Sequence, residues 1–207
     1  MNVLFIGNSF TARNNLPALV AQLAAAAGQH LDHKLINQGG ASLRMHWNKG
    51  EAQKAIATKK FEFVVLQEQS TLPVKNASRM RENILLFDQA IKAAGAKTAL
   101  YMTWARRNVP DSQKAITDAY TSAARETGAT LIPAGLAWEK FLARHDKPTL
   151  HDRDNSHPTL AGSYLAACVA VAVLFKLDPS ELEPAIGGLT QREMQILQQA
   201  AASVVPV

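Results

Sequence analysis

A chain of 207 residues, 47% apolar and 19% charged, has enough hydrophobic material for one folded domain with a core, which excludes an intrinsically disordered segment. Its formal charge of +5 (22 Lys and Arg against 17 Asp and Glu) comes without a long basic run interleaved with aromatics, so no nucleic-acid partner is expected. The one cysteine, Cys168, excludes an intrachain disulfide, and its apolar surroundings mark it as a buried small side chain rather than a reactive thiol.

The opening residues, MNVLFIG, carry no basic n-region and no cleavage site, which gives a cytoplasmic expectation. The same apolar run reads as a strand at 3–6. Further β-type runs stand at 31–36, 61–66, 98–103 and 130–132. The second of these is mixed in polarity and belongs nearer an edge. Between them lie helical stretches. The first, 14–28, has Asn15 as cap, Pro17 in the first turn and Gly28 as stop. A short polar helix is expected within 48–60. In 76–95, Ile84, Phe87 and Ile91 share one apolar face. Another helix runs from Asp111 to Gly128. The stretch 157–175 starts at Pro158 and continues into an apolar run too short to span a bilayer, so it reads as a core helix and no membrane partner is expected. A helix at 190–204 closes the chain.

Strand–helix alternation with near-continuous apolar strands predicts a parallel sheet covered on both faces. The expected architecture is α/β: a flavodoxin-like three-layer α/β/α sandwich with a five-stranded parallel sheet. No linker composition or fixed-period repeat divides the chain, so a single domain over 1–207 is expected. Sites in such sheets form outside the carboxyl ends of the strands, and the residues following each strand therefore carry the functional argument.

After the first strand comes Gly7-Asn8-Ser9-Phe10, and after the second Asn37-Gln38-Gly39-Gly40-Ala41-Ser42. The third is followed by Gln67-Glu68-Gln69-Ser70 and the fourth by Trp104-Ala105-Arg106-Arg107. Ser9 is a candidate nucleophile. His157 is the candidate base, and Asp154, three residues before it, is placed to orient the imidazole. The bland alternatives stay open here: Ser9 as a turn cap and His157 as a helix cap. Gly39-Gly40 and an amide from Gln69 would supply donors to an oxyanion. Gln67 points the same way as Gln69 in an extended segment and is a candidate pocket residue, with Trp47 and Trp104. Glu68 reads as a salt-bridge partner. His151, Asp152, Asp154 and His157 match no standard zinc spacing, so no metal is expected, and no phosphate-binding glycine loop follows any strand.

These blocks, in this order, resemble the SGNH/GDSL hydrolase family from Val3 to about Leu174. The resemblance implies a flavodoxin-like fold and esterase chemistry. It assigns Ser9 as nucleophile, His157 as base, Asp154 as its partner, and the backbone N–H groups of Ser9 and Gly40 as oxyanion donors. Two departures stand out. Asn8 replaces the usual Asp of the first block, and Gln67-Glu68-Gln69-Ser70 replaces a third block that usually ends Gly-x-Asn-Asp, which puts Gln69 in the position of the Asn. The branch with Gln and Glu here includes carbohydrate acetylesterases. The expected activity is a cofactor-free serine esterase cleaving small O-acyl groups, chiefly acetyl, from a small-molecule or carbohydrate ester. The alternatives are an acyltransferase using the same site and a non-catalytic ligand-binding module on the same fold.

Overall fold

The structure, a computed structural model, describes residues 1–205. Five strands, β1 (Asn2–Gly7), β2 (Asp32–Asn37), β3 (Phe63–Leu66), β4 (Lys97–Tyr101) and β5 (Thr130–Ile132), form one sheet in the order β2-β1-β3-β4-β5. All four pairings are parallel. This is the expected doubly wound arrangement, in which the strand order reverses beside β1. The helices are α1 (Ser9–Ala12), α2 (Leu16–Ala26), α3 (Leu43–Lys49), α4 (Glu51–Thr58), α5 (Leu72–Lys75), α6 (Ala77–Ala93), α7 (Gln113–Thr127), α8 (Ala134–Leu142), α9 (Leu160–Phe175) and α10 (Gln191–Ala202).

The apolar strands need cover on both faces because successive side chains point to opposite sides. Val3, Phe5, Val65, Ala99 and Tyr101 pack with α2, α8, α9 and α10. Leu4, Ile6, Val64, Leu66 and Leu100 pack with α3, α4, α6 and α7. β2 keeps most of its residues outside the core, as its mixed polarity implies for an edge strand. Helix α9 is buried at every position from Ala161 to Leu174. It is apolar all round because α2, α8 and α10 enclose it. No described helix is long and apolar enough to cross a membrane.

Local expectations change in three places. The polar helix expected within 48–60 is α4, and a further helix, α3, precedes it across Gly50. Helix α8, which follows β5 directly after Pro133, is absent from the expected elements. Asn15, expected to cap α2, sits in a left-handed conformation and makes no side-chain capping bond.

The end of β1 is set by steric crowding. A Cβ on Gly7 would lie 2.5 Å from Thr11 Oγ1 and 2.6 Å from Gln67 Oε1, and both partners are buried. Gly7→Ala is therefore predicted to lower unfolding stability by about 1–3 kcal/mol through overpacking. A lower urea midpoint would reveal it; an unchanged midpoint would mean that the two side chains yield freely.

Candidate active site

Asn8 stands between β1 and α1. Its side-chain oxygen accepts the Phe10 N–H at 3.1 Å, which caps the short helix. Its side-chain amide donates to the Ala41 carbonyl at 3.0 Å, a bond an ionised aspartate could not make. Its backbone N–H donates to Gln67 Oε1 at 2.9 Å. Asn8 thus ties the end of β1 to the loops after β2 and β3. Because Asn8 supplies the cap, the Ser9 hydroxyl is free for other work. It lies 2.7 Å from His157 Nε2.

His157 stands in a tight loop closed by an antiparallel bridge between His151 and Pro158. The loop is fixed from inside by the Asp152 N–H donating to His157 O at 2.8 Å. From the β4 side, Trp104 Nε1 donates to Ser156 O at 3.1 Å and the Arg107 N–H to Asn155 O at 2.9 Å. Arg13 pairs with Asp152 at 2.6 Å. Thr159, not His157, caps α9. The imidazole is thereby released from a structural task, and its Nδ1 lies 2.5 Å from Asp154 Oδ2. The other Asp154 oxygen accepts the backbone N–H groups of Ser156 and His157 at 3.0 and 2.9 Å. With Nδ1 protonated toward Asp154, Nε2 presents a lone pair to Ser9. Asp152, the other acid in the loop, is turned to Arg13 instead.

The side-chain bond from His157, followed by its backbone N–H, holds the Asp154 carboxyl well below the usual carboxylate range. A depressed pKa stabilises the fold above the ordinary carboxyl pKa, and the contribution is lost only as pH falls through the depressed value. Asp154 accordingly stays ionised from about pH 4 upward.

The three expected oxyanion donors differ in how free they are. Ser9 N–H is at the start of α1, where helix N–H groups lack intrahelical partners. Gly40 has φ +69°, a conformation that favours glycine, and it is exposed. Gln69 Oε1 accepts both the Thr71 N–H and Oγ1–H at 2.9 Å, so its NH2 group is the end left without a partner among the described residues. Gln67 is different. Its oxygen accepts from Asn8 and Thr11 (2.9 and 3.0 Å) and its NH2 from the other end donates to Glu68 O. With 1% exposure and both ends engaged, Gln67 is a strut under the site rather than a pocket residue.

Trp47 is not a pocket residue either: it packs edge-on against Phe87 in the core on the α6 side. Trp104 is buried but borders two cavities. It stacks on Trp138 with ring centroids 3.7 Å apart and contacts Phe10 at 5.2 Å, and Phe10 contacts the His157 ring at 5.2 Å. This row of rings packs against the His157 imidazole. Sequence reading missed Phe10 and Trp138. The first was hidden by its apolar character beside Ser9, the second because α8 was not foreseen. The larger cavity, about 580 Å³, is lined by Trp104, Trp138 and His151 and not by Ser9 or Gln69. A smaller one of about 220 Å³ adjoins the third block through Ser70 and Thr71 and is likewise not lined by Ser9 or Gln69. His46 and His151 are buried, their pKa values lowered by desolvation, and each has Nε2 at a carbonyl, Gly7 O at 2.8 Å and Ala105 O at 2.9 Å. Both are structural donors.

Because Asp154 remains charged, its own protonation adds no step to the acid side of any rate this site supports. Log(kcat/KM) is predicted to fall with unit slope as pH drops. A slope of two would show that a second group must also ionise.

No family model matches the sequence, and no curated protein matches it. Solved structures do. One, described as "a putative SGNH hydrolase from Slackia heliotrinireducens", is 28% identical, with a TM-score of 0.72 over 84% of this chain and 98% of that one. A DUF4886 family protein from Bacteroides uniformis is 21% identical, with a TM-score of 0.80 over 100% of this chain and 95% of that one. A mutant form of an acetyl-xylooligosaccharide esterase from Geobacillus is 17% identical, with a TM-score of 0.63 over 83% and 93%. The last two are likenesses of fold alone. Taken with the Slackia likeness and the strand order, they identify this chain as one with the SGNH/GDSL-like hydrolase fold.

Proposed function

We propose that this chain is a serine esterase that hydrolyses carboxylic esters with small acyl groups through an acyl-enzyme on Ser9. One observation carries the reading: Ser9 Oγ, His157 and Asp154 form an unbroken hydrogen-bonded line at the carboxyl edge of the sheet, with bonds of 2.7 and 2.5 Å. The SGNH-type hydrolases and esterases among the structural neighbours support ester hydrolysis in general.

In this mechanism Ser9 Oγ attacks the ester carbonyl while His157 Nε2 takes its proton. Asp154 holds the Nδ1–H tautomer and stabilises the imidazolium. Negative charge develops on the former carbonyl oxygen, to which the N–H groups of Ser9 and Gly40 and the Gln69 amide donate. The tetrahedral intermediate collapses, and His157 returns the proton to the leaving alcohol. Water, deprotonated by the same imidazole, then attacks the acyl-enzyme and frees Ser9. No step calls for a metal or organic cofactor. Acetyl as the acyl group and a carbohydrate as the alcohol are the finer form of the proposal. Their support is the Gln-Glu pattern of the third block together with the acetyl-xylooligosaccharide esterase among the neighbours.

A fluorophosphonate should add a single increment to the peptide holding Ser9, and Ser9→Ala should abolish both labelling and turnover without unfolding the protein. Labelling that persists in Ser9→Ala would remove the proposal. Within the same frame, Gln69→Ala should lower kcat about 10²-fold with little change in KM, since its amide bonds most strongly to the transition state. Gln67→Ala should instead show its main effect as a lower melting temperature. Activity on p-nitrophenyl esters of rising chain length should be greatest for acetate; a preference for long chains would contradict the small-acyl assignment.

A further inference from the structure

Glu68 lies between the two third-block glutamines and is 0% exposed. Among the described residues it makes no salt bridge, so the sequence reading of it as an ion-pair partner is corrected. A buried carboxylate without a paired cation requires hydrogen bonds, and Glu68 has three. Its Oε1 accepts the Leu43 N–H at 2.9 Å and the Gln69 N–H at 2.7 Å. Its Oε2 accepts from Asn83 Nδ2 at 2.7 Å. Asn83 Oδ1 in turn accepts from Arg44 Nε at 3.0 Å. The chain has one direction: Arg44 can only donate, Asn83 does both, and ionised Glu68 can only accept.

One oxygen atom therefore joins two loops. Leu43 follows Gly40 by three residues, at the start of α3, and Gln69 is the third-block donor itself. Burial raises the Glu68 carboxyl above its ordinary range, against the pull of its three N–H partners. Keeping a carboxylate here carries a desolvation cost that an apolar side chain would avoid, which suggests a task other than stability.

We infer that Glu68 is a positioning residue: its carboxylate, oriented by Asn83 and Arg44, fixes the loop bearing Gly40 against Gln69 and so sets the spacing of the oxyanion donors. The inference rests on the esterase reading. It concerns a group that touches no substrate and acts through the backbone of its neighbours.

The test is kinetic, on the full chain with p-nitrophenyl acetate. Glu68→Gln keeps the shape but sets an NH2 group against either Asn83 Nδ2 or the two backbone N–H groups. It should lower kcat about tenfold to a hundredfold, the scale of a small misplacement of catalytic groups, and leave KM within about twofold. The double variant Glu68→Gln/Asn83→Asp restores a complementary chain. The new amide donates to the new carboxylate, which faces Arg44, and the amide oxygen accepts from Leu43 and Gln69. It should regain most of the lost kcat, whereas Asn83→Asp alone, with two carboxylates opposed, should not. A folded Glu68→Gln with wild-type kcat overturns the inference, and so does a folded double variant no faster than Glu68→Gln. If Glu68→Gln does not fold, the double variant decides by the same rate; if neither folds, Glu68 is a folding residue and the inference is overturned. A wild type that cleaves no ester removes the esterase reading and this inference with it, while an active wild type with an unimpaired Glu68→Gln removes the inference alone.

Discussion

The hydrogen bond from the Asn8 backbone N–H to Gln67 Oε1, 2.9 Å long, joins the end of β1 to the end of β3 at the point where the sheet can no longer satisfy its own backbone. Parallel strands leave such groups open at their carboxyl ends, and buried polar groups left unpaired are costly. Here side chains close the edge. Gln67 accepts from Asn8 and Thr11, and Asn8 itself bonds to Ala41 and Phe10. Gly7 has no side chain because that closure fills its space. Ser9 and the loops bearing Gly40 and Gln69 are hung from this closed edge, so Ser9 has a fixed direction before any substrate arrives.

The acid–base half of the site is held differently. The loop carrying Asp154 and His157 has no strand beneath it. Its position depends on hydrogen bonds from Trp104 and Arg107 and on the ring row Trp138–Trp104–Phe10. Phe10 belongs to both halves, since it follows Ser9 in sequence and packs against the His157 ring. A shift of the serine turn would therefore move the base support with it. That coupling preserves the 2.7 Å contact between Ser9 and His157, on which the proposed proton transfer depends.

Much of this was legible in the sequence, for identifiable reasons. Strands β1, β3 and β4 showed because their residues are buried on both faces, so they read as plain apolar runs, and the parallel sheet followed from the alternation of strands with helices. Ser9, Gly40 and His157 showed because each stands just past a strand or just before a helix. Other features could not show. Gln67 and Gln69 have the same chemistry and the same facing in an extended segment, and only the partners of their two ends separate a strut from a free donor. Trp47 and Trp104 look alike in sequence, yet one packs half-buried against Phe87 of α6 and the other belongs to the ring row beside His157. Glu68 gave no hint of its role, since its three donors come from residues 43, 69 and 83 and meet only in the folded chain.

The central claim is that Ser9 becomes covalently acylated during turnover. The most direct measurement is an acid quench within the first turnovers on p-nitrophenyl acetate, followed by peptide mass analysis. Burst release of one equivalent of p-nitrophenol per site, with one acetyl increment on the peptide containing Ser9, is the predicted result. Steady turnover with no acetylated peptide, or an acetyl group on any other residue, would contradict the account.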